Sequence, residues 1–408
     1  MTTGVEGTES ALIDAVCLRV RERVEGDDAA RLEQFVRLYH EWVPAEDLAD
    51  RDPLDVYGAA LAQWNFMRRR KPGTTKARVY NPDFEQHGWQ STHTVVEVVT
   101  DDMPFLVDSI GMELSRQSYG VHLVVHPVLR VRRDEEGALL EVLPGAGNGA
   151  ADGSVAESII RFEIDRQSEA AELDALRDDV LRVLGDVRAA VEDWPAMRAR
   201  AREIADDLGR HGAPVDAREV EEAIALLSWA DEGHFTFLGA RDYELVQQDG
   251  ADCLRAVPKT ALGVLRRREE QALSKAFARL PPRARASARS RTLLTLTKAN
   301  SIATVHRPSY LDYIGVKQFD ADGEVVGERR FLGLYTTSAY SAHAHEVPVV
   351  RRKVEAVMAR AGFPPGGHGE KALAETLETD PRDELFQIGR TRCSPSRPAS
   401  SAWASASG

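Results

Sequence analysis

The chain has 408 residues with 52 basic and 65 acidic side chains, so its formal net charge is −13 at pH 7. Nucleic-acid binding depends on Lys and Arg that neutralise phosphates, so this balance disfavours a dedicated nucleic-acid binder. No apolar run approaches the ~18–20 residues of a membrane helix, the N-terminus lacks a signal-peptide pattern, and the three cysteines lie far apart, which predicts a soluble, cytoplasmic protein without a structural zinc site.

Residues 1–75 are predicted to be a helical N-terminal segment. Asp52-Pro53 is a helix start, with Asp as the N-cap and Pro in the first turn. We interpret the basic run 68–71 as a solvated helix end. Apolar side chains recur at three- and four-residue spacing on two helices, at Leu32, Phe35, Leu38, Tyr39 and Trp42, and at Leu54, Tyr57, Leu61 and Trp64.

Residues 76–191 alternate strand and helix patterns. A β-branched strand at 94–100 leads into the turn 101–104 and then into a helix whose core face is Val107, Ile110 and Leu114. Strands over 121–132, 138–143 and 158–164 follow, and a helix over 173–191 closes the segment. This order predicts a ferredoxin-like α+β βαββαβ module with its helices on one face of the sheet.

The rest of the chain is predicted to contain four segments. Residues 192–232 form a helical connector in which Asp216 and Glu219 are spaced as a capping box. Residues 233–341 form a second, β-rich module with a hairpin turn at 320–323. Residues 342–388 form helices that lead to downstream domains, and the Ser/Ala-rich residues 389–408 form a disordered tail, which we interpret as a frameshift or truncation product.

The turn Asp101-Asp102-Met103-Pro104-Phe105 is the most suggestive site. Backbone donors at a helix start attract a carboxylate, and the Asp side chains could meet an ammonium group, so a zwitterionic amino acid would suit both. We therefore predict Asp101, Asp102, Pro104 and Phe105 as a regulatory ligand site. Ordinary N-capping of the following helix is the alternative interpretation.

Three other patterns are interpreted as structural features rather than as functional sites. The G-x-G-x-x-A match at 145–150 is not followed by a helix, so it predicts a hairpin loop rather than a dinucleotide site. His93, His122 and His126 have no carboxylate or thiol at ligand spacing and are interpreted as sheet histidines. The arginine-rich stretch 279–291 is interpreted as a solvated loop, and no constellation for catalysis, cofactor binding or metal binding is present.

Long stretches of the chain resemble the N-terminal region of the large, multidomain NAD-specific glutamate dehydrogenases of bacteria. The likeness covers about residues 10–388. The matching stretches are Trp89–Ile110, Gly233–Gly239, Tyr310–Phe319, Arg330–Ser341 and Asp380–Ile388.

The resemblance implies that residues 76–191 form an ACT-like domain, an amino-acid-sensing unit, and that 233–341 form a PAS-like or second ACT-like module. It also implies a regulatory or oligomerisation region, a homo-oligomer, an amino-acid effector, and NAD as cofactor of the parent enzyme but not of this chain. A free-standing amino-acid sensor and a non-catalytic scaffold are the alternatives. Ligand-binding ACT domains commonly carry Gly just after the Asp-x-Pro turn, where this chain has Phe105 and Leu106.

Overall fold

The structure is a computed structural model that describes residues 3–41, 43–48, 51–143, 153–248, 251–266, 273–274, 289–364 and 366–387. The chain divides into two compact units. The first is Met1–Arg188 with Thr304–Arg307, and the second is Ala189–Ala303 with Pro308–Gly408. Among the described residues, no helix combines the length and apolar character needed to cross a membrane.

The first unit contains helices and an antiparallel sheet, in agreement with the predicted α+β class. Its helices are α1 (Thr3–Arg23), α2 (Asp27–His40), α3 (Ala45–Leu48), α4 (Pro53–Met67), α5 (Phe84–His87), α6 (Leu106–Arg116) and the first part of α7 (Ala170–His211). Its strands are β1 (Lys76–Tyr80), β2 (Thr94–Asp101), β3 (Val121–Val125), β4 (Val128–Arg133), β5 (Leu139–Leu143) and β6 (Val155–Ile164). The order is β1-β2-β6-β4-β5, and β3 also pairs with β6.

Helices cover both faces of this sheet. Successive strand residues point to opposite faces. Val99, Val131 and Ile159 point to one face and share an apolar cluster with buried residues of α1, α2 and α4. Thr100 points to the other face, where Arg188 of α7 donates to its hydroxyl. The sequence predicts helices on one face only, whereas the N-terminal helices cover the second face because their apolar stripes need a partner surface.

Local signals at the helix starts have mixed outcomes. Asp52 caps α4 as predicted, since its carboxylate accepts from the backbone N–H of Leu54 at 2.7 Å. The core face of α6 begins one residue earlier than predicted, at Leu106 rather than Val107. Leu106 is buried at 2% exposure, and Val107 is only half-buried. The prediction of Val107 as a core residue is therefore wrong, because the turn before the helix sets which side chain enters the core.

The second unit is built on another antiparallel sheet. Its helices are the remainder of α7, α8 (Ala217–Trp229), α9 (Thr337–Ser341), α10 (Val350–Ala361), α11 (His368–Thr379) and α12 (Arg382–Gln387), with a π-helical turn at Ala230–His234. Its strands are β7 (Phe235–Gln248), β8 (Ala251–Ala256), β9 (Leu262–Gly263), β10 (Leu273–Ser274), β11 (Leu294–Ile302), β12 (Tyr310–Phe319) and β13 (Val325–Tyr335). The order is β10-β8-β7-β13-β12-β11, with β9 paired to β7.

Turn and cap chemistry in the second unit partly follows the predictions. The hairpin turn between β12 and β13 is confirmed: the Asp320 carboxylate accepts from two backbone N–H groups of the turn, and Gly323 adopts a φ of 76° that favours glycine. Asp216 caps α8 by accepting from Arg218 N. Glu219, however, accepts from Leu293 N at 2.7 Å, so the predicted capping box does not form.

The second unit also holds charged side chains inside its fold, and these pair with one another. Lys298 bridges the carboxylates of Asp312 and Asp383 at 2.6 and 2.8 Å. On the same sheet the Arg330 guanidinium lies 3.9 Å from the centre of the Tyr243 ring. These contacts satisfy buried charges, as a folded core requires.

Several predictions fall outside the described residues. These are the glycine-rich stretch 145–150, Trp42, the arginines of 279–285, and the tail 389–408. Two arginines at the end of the arginine-rich stretch are described, and both are ion-paired on the surface, Arg289 with Asp252 and Arg291 with Glu324.

Candidate functional site

The predicted ligand turn lies at the end of β2, and its first carboxylate already has partners. Asp101 Oδ1 accepts from Arg70 Nη2 at 2.7 Å, and Oδ2 accepts from Arg188 Nη2 at 2.8 Å. Although burial acts to raise it, these two guanidinium groups hold the pKa of Asp101 below its usual value. Asp101 therefore joins the end of the strand to α7.

The rest of the turn is arranged differently from an N-cap. Asp102 accepts from the Ser158 hydroxyl at 2.7 Å, and Pro104 is exposed. Phe105 stands at the start of α6 with a left-handed φ of 74° and makes no side-chain cap. Its ring centre lies 4.8 Å from that of His306. The capping interpretation is thus wrong, and the use of this turn by a ligand stays a prediction.

Arg70 belongs to a buried ion cluster rather than to a solvated helix end. Its Nη2 donates to Glu157 Oε1 at 2.7 Å, and both side chains are fully buried. Arg133 donates to the same carboxylate through Nε and Nη2, at 2.6 and 2.7 Å. The interpretation of residues 68–71 as solvated is wrong for Arg70, because the turn after α4 brings its guanidinium to the carboxylates of Asp101 on β2 and Glu157 on β6.

The three candidate histidines separate into two groups. The rings of His93 and His122 lie 4.2 Å apart, centre to centre. His122 Nε2 is 2.7 Å from Asp165 Oδ1, whereas His126 Nε2 is 3.0 Å from the Ser158 hydroxyl. In the described part of the chain, no three His, Cys, Asp or Glu side chains are arranged to hold a metal ion.

A cavity of about 540 Å³ lies between the N-terminal helices and the sheet of the first unit. We call the buried side of this cavity its floor. The floor consists of Tyr39 from α2, Trp89 from the segment before β2, and Arg161 and Glu163 from β6. These four side chains are almost completely buried. The cavity was not predicted, because its residues come from four separated stretches. The one sequence signal is that Arg161 and Glu163 alternate with apolar residues in the second half of β6.

Hydrogen bonds at the floor are unevenly distributed between its two arginines. Arg51 donates to both Glu163 oxygens, at 3.0 and 2.9 Å, and through Nε to Asp47 O. Arg161 donates to Glu163 through Nη2 alone, and its guanidinium lies 4.8 Å from the centre of the Trp89 ring. Although burial acts to raise it, the two arginines lower the pKa of Glu163, so the carboxylate is ionised.

Three buried donors at the floor have no hydrogen-bond partner. They are Arg161 Nε, Trp89 Nε1 and the Tyr39 hydroxyl. Buried polar groups are nearly always satisfied, so each unsatisfied donor calls for an explanation. Burial lowers the pKa of the neighbouring His40 to about 4, which makes its ring neutral at pH 7. His40 therefore adds no positive charge to the floor of the cavity at pH 7.

Comparison with known proteins matches this chain to glutamate dehydrogenases. Residues 35–180 match the family model for the glutamate dehydrogenase ACT1 domain, and residues 347–393 match the model for glutamate dehydrogenase helical motif 1. An NAD-specific glutamate dehydrogenase of Halomonas elongata is 42% identical over 371 residues, which are 91% of this chain and 23% of that protein. The Pseudomonas aeruginosa protein of the same name is 41% identical over 355 residues, which are 86% of this chain and 22% of that protein.

A more distant relative has the same name. The NAD-specific glutamate dehydrogenase of Mycobacterium tuberculosis is 28% identical over 336 residues, which are 81% of this chain and 19% of that protein. The chain therefore spans less than a quarter of the length of these relatives.

Proposed function

We propose that this chain, which corresponds to the N-terminal part of the large NAD-specific glutamate dehydrogenases, is a regulatory region of such an enzyme. The observation that carries the proposal is the ACT1 match over residues 35–180, which includes all six described strands of the first sheet. The parent reaction would convert L-glutamate, NAD and water to 2-oxoglutarate, ammonia and NADH in the cytoplasm. We assign the NAD site and the catalytic groups to parts of the enzyme other than this chain.

We propose that the β-rich module of the second unit is PAS-like rather than a second ACT-like unit. A βαββαβ unit needs two crossover helices between strands. Here two residues separate β7 from β8, seven separate β11 from β12, and five separate β12 from β13. Connections this short form hairpins and leave no room for a helix.

An assembly role is a second candidate, and exposed valines favour it. Val121, Val124 and Val128 are 40%, 37% and 42% exposed. Their pairing with Ile164, Phe162 and Ser158 places them on the sheet face opposite the N-terminal helices. Apolar side chains grouped on one face often mark contacts between subunits, so we propose that this strip contributes to a homo-oligomer.

The test of the regulatory role uses the full-length enzyme together with this chain. The purified chain should show no glutamate-dependent reduction of NAD. In the full-length enzyme, Asp101→Asn should change the response of the rate to added amino acids, because it uncouples the end of β2 from α7, and should leave kcat without effector unchanged. Glu141→Gln, in an exposed pair with Arg132, is the matched control. Turnover by the chain alone, or an identical amino-acid response in both variants and the wild type, would refute the proposal.

A further inference from the structure

We propose that the start of helix α10 is a strained latch, formed by Val349 and Arg351 and held closed by the Glu222 carboxylate of α8. Its opening releases helices α10–α12 from the core of the second unit. These three helices lie within residues 347–393, which match helical motif 1. The latch itself is a property of this chain. Its consequence for the rate of glutamate oxidation rests on the proposed regulatory function.

Val349 immediately precedes α10 and has a left-handed backbone, with a φ of 70° and a ψ of −44°. A β-branched residue is an outlier at positive φ, because its side chain crowds the backbone there. Among the described non-glycine residues with a left-handed φ, Val349 is the one that is β-branched. Such conformations persist only where the surrounding contacts impose them, and they are frequent in segments that switch between two states.

Two buried neighbours impose this backbone on Val349. Val347 and Val350 are completely buried and belong to the same apolar cluster. The backbone N–H of Arg351 donates to Val347 O at 2.9 Å, so the chain must turn within the three residues between them. Pro348 is one of the three, and its ring fixes its own φ near about −65°. The remaining rotation therefore falls on Val349.

Glu222 holds the strained turn closed from a different helix. Its Oε2 accepts from the backbone N–H of Val349 at 2.6 Å, and its Oε1 accepts from Arg351 Nε at 2.8 Å. The Glu222 side chain is only 12% exposed, so solvent ions screen these contacts weakly. Helix α10 has no acidic residue in its own first turn. The Glu222 carboxylate therefore supplies the negative charge that stabilises a helix N-terminus.

Release of this turn would reach beyond α10. Lys353 of α10 donates through Nζ to the carbonyl oxygens of Leu385 and Phe386 in α12, at 3.0 and 2.6 Å. The Phe386 ring in turn stacks on Tyr335 of β13, with 4.9 Å between the ring centres. The strain favours opening of the turn and the Glu222 contacts oppose it, so removal of the carboxylate shifts the balance toward release.

The experiment is hydrogen–deuterium exchange of the purified chain, followed for separate peptides by mass spectrometry. Local opening exposes the amides of one segment, whereas global unfolding exposes those of every segment. Glu222→Ala should speed exchange over α10 roughly 10-fold or more, since hydrogen bonds to charged groups are the stronger class. Exchange over β12 and β13 should stay unchanged. Glu222→Gln, which keeps one acceptor but no charge, should give a smaller increase over α10.

The matched control for Glu222 is Glu219 on the same helix. Its carboxylate also accepts from a backbone N–H, but the donor is Leu293, next to β11, rather than a residue of α10. Glu219→Ala removes a carboxylate of the same type from α8 and leaves the latch intact. Exchange over α10 should therefore match that of the wild type.

A second pair of variants tests the strain. Val349→Ala and Val349→Gly both remove the isopropyl group, so the comparison between them isolates the backbone. Glycine adopts a positive φ without a steric cost, so exchange over α10 should be about 5-fold or more slower in Val349→Gly than in Val349→Ala. Val354 is the control, because it is a half-buried valine inside α10 that packs against the same apolar cluster. There the order should reverse, with exchange about 2- to 5-fold faster in Val354→Gly than in Val354→Ala, because glycine weakens a helix interior.

Three results would overturn the proposal. They are unchanged exchange over α10 in both Glu222 variants, an increase of equal size over α10, β12 and β13, and the same order of the glycine and alanine variants at positions 349 and 354. In the full-length enzyme, Glu222→Ala should change the response of the rate of glutamate oxidation to added amino acids, and Glu219→Ala should not. Local opening of α10 in this chain together with an unchanged response of the enzyme would refute the regulatory consequence and leave the latch standing.

Discussion

Glu157 provides the sharpest test of the buried ion cluster. The carboxylate is fully buried and accepts from Arg70 and Arg133 at 2.6–2.7 Å. Replacing it with alanine leaves Arg70 paired with Asp101 and leaves the buried Arg133 with hydrogen bonds to the backbone carbonyls of Gly137 and Met67. Removal of one partner from a buried ion pair typically costs about 3–5 kcal/mol. We therefore expect Glu157→Ala to lower the free energy of unfolding of the first unit by that amount.

The matched control is Glu141→Ala on β5 of the same sheet. Its ion pair with Arg132 is 2.8 Å long, but the two side chains are 46% and 39% exposed. Exposed pairs contribute about 0–1 kcal/mol, so this variant should be nearly silent. The contrast isolates burial, because residue type, pair type and distance are held nearly constant.

The assay is urea unfolding followed by circular dichroism, with thermal melting as a second measurement. For a unit of this size, a loss of 3–5 kcal/mol corresponds to a fall in Tm of roughly 6–20 °C. Glu157→Gln, which keeps the shape and removes the charge, should fall between the wild type and the alanine variant. Equal losses for Glu157→Ala and Glu141→Ala would refute the reasoning, since the cluster would then contribute no more than a surface pair.

Two further predictions concern residues near the cavity. Gly58→Ala should destabilise the first unit by about 1–3 kcal/mol in urea unfolding, because the new Cβ would lie 2.2 Å from Trp89 Cβ. Gly111→Ala is the control on helix α6, where the new Cβ would have no neighbouring atom within 4 Å. This variant should stabilise the unit by about 0.5–1 kcal/mol. Burial lowers the pKa of His40 to about 4, so the unfolded chain binds a proton more readily and stability should fall as the pH drops from about 6.5 to 4. His40→Gln should flatten that dependence, and an unchanged slope would show that His40 is not its source.

Local signals in the sequence identify many helices and turns, but they do not always identify which side chains face the core. The Asp52-Pro53 start and the turn at 320–323 are confirmed because each depends on contacts within a few residues. Val107 is misassigned because the core face of α6 depends on the left-handed Phe105 before it, a conformation that side chains other than glycine adopt rarely. Leu106→Asp should therefore destabilise more than Val107→Asp.

The sequence alone also indicates the kinship and the ACT-like pattern of this region, since long matching stretches and strand–helix alternation are properties of the linear chain. The sequence does not indicate which charged side chains are buried or which groups they pair with. No sequence signal separates Arg70 from a surface arginine, and Arg161 is marked only by its place in a largely apolar strand. Only the folded sheet brings Glu157 to Arg70, whereas Glu163 lies two residues from Arg161 on the same strand. Because hydrogen bonds, charge balance and cavities arise between segments far apart in the chain, the tertiary structure alone decided which arginines are satisfied and which floor donors still lack a partner.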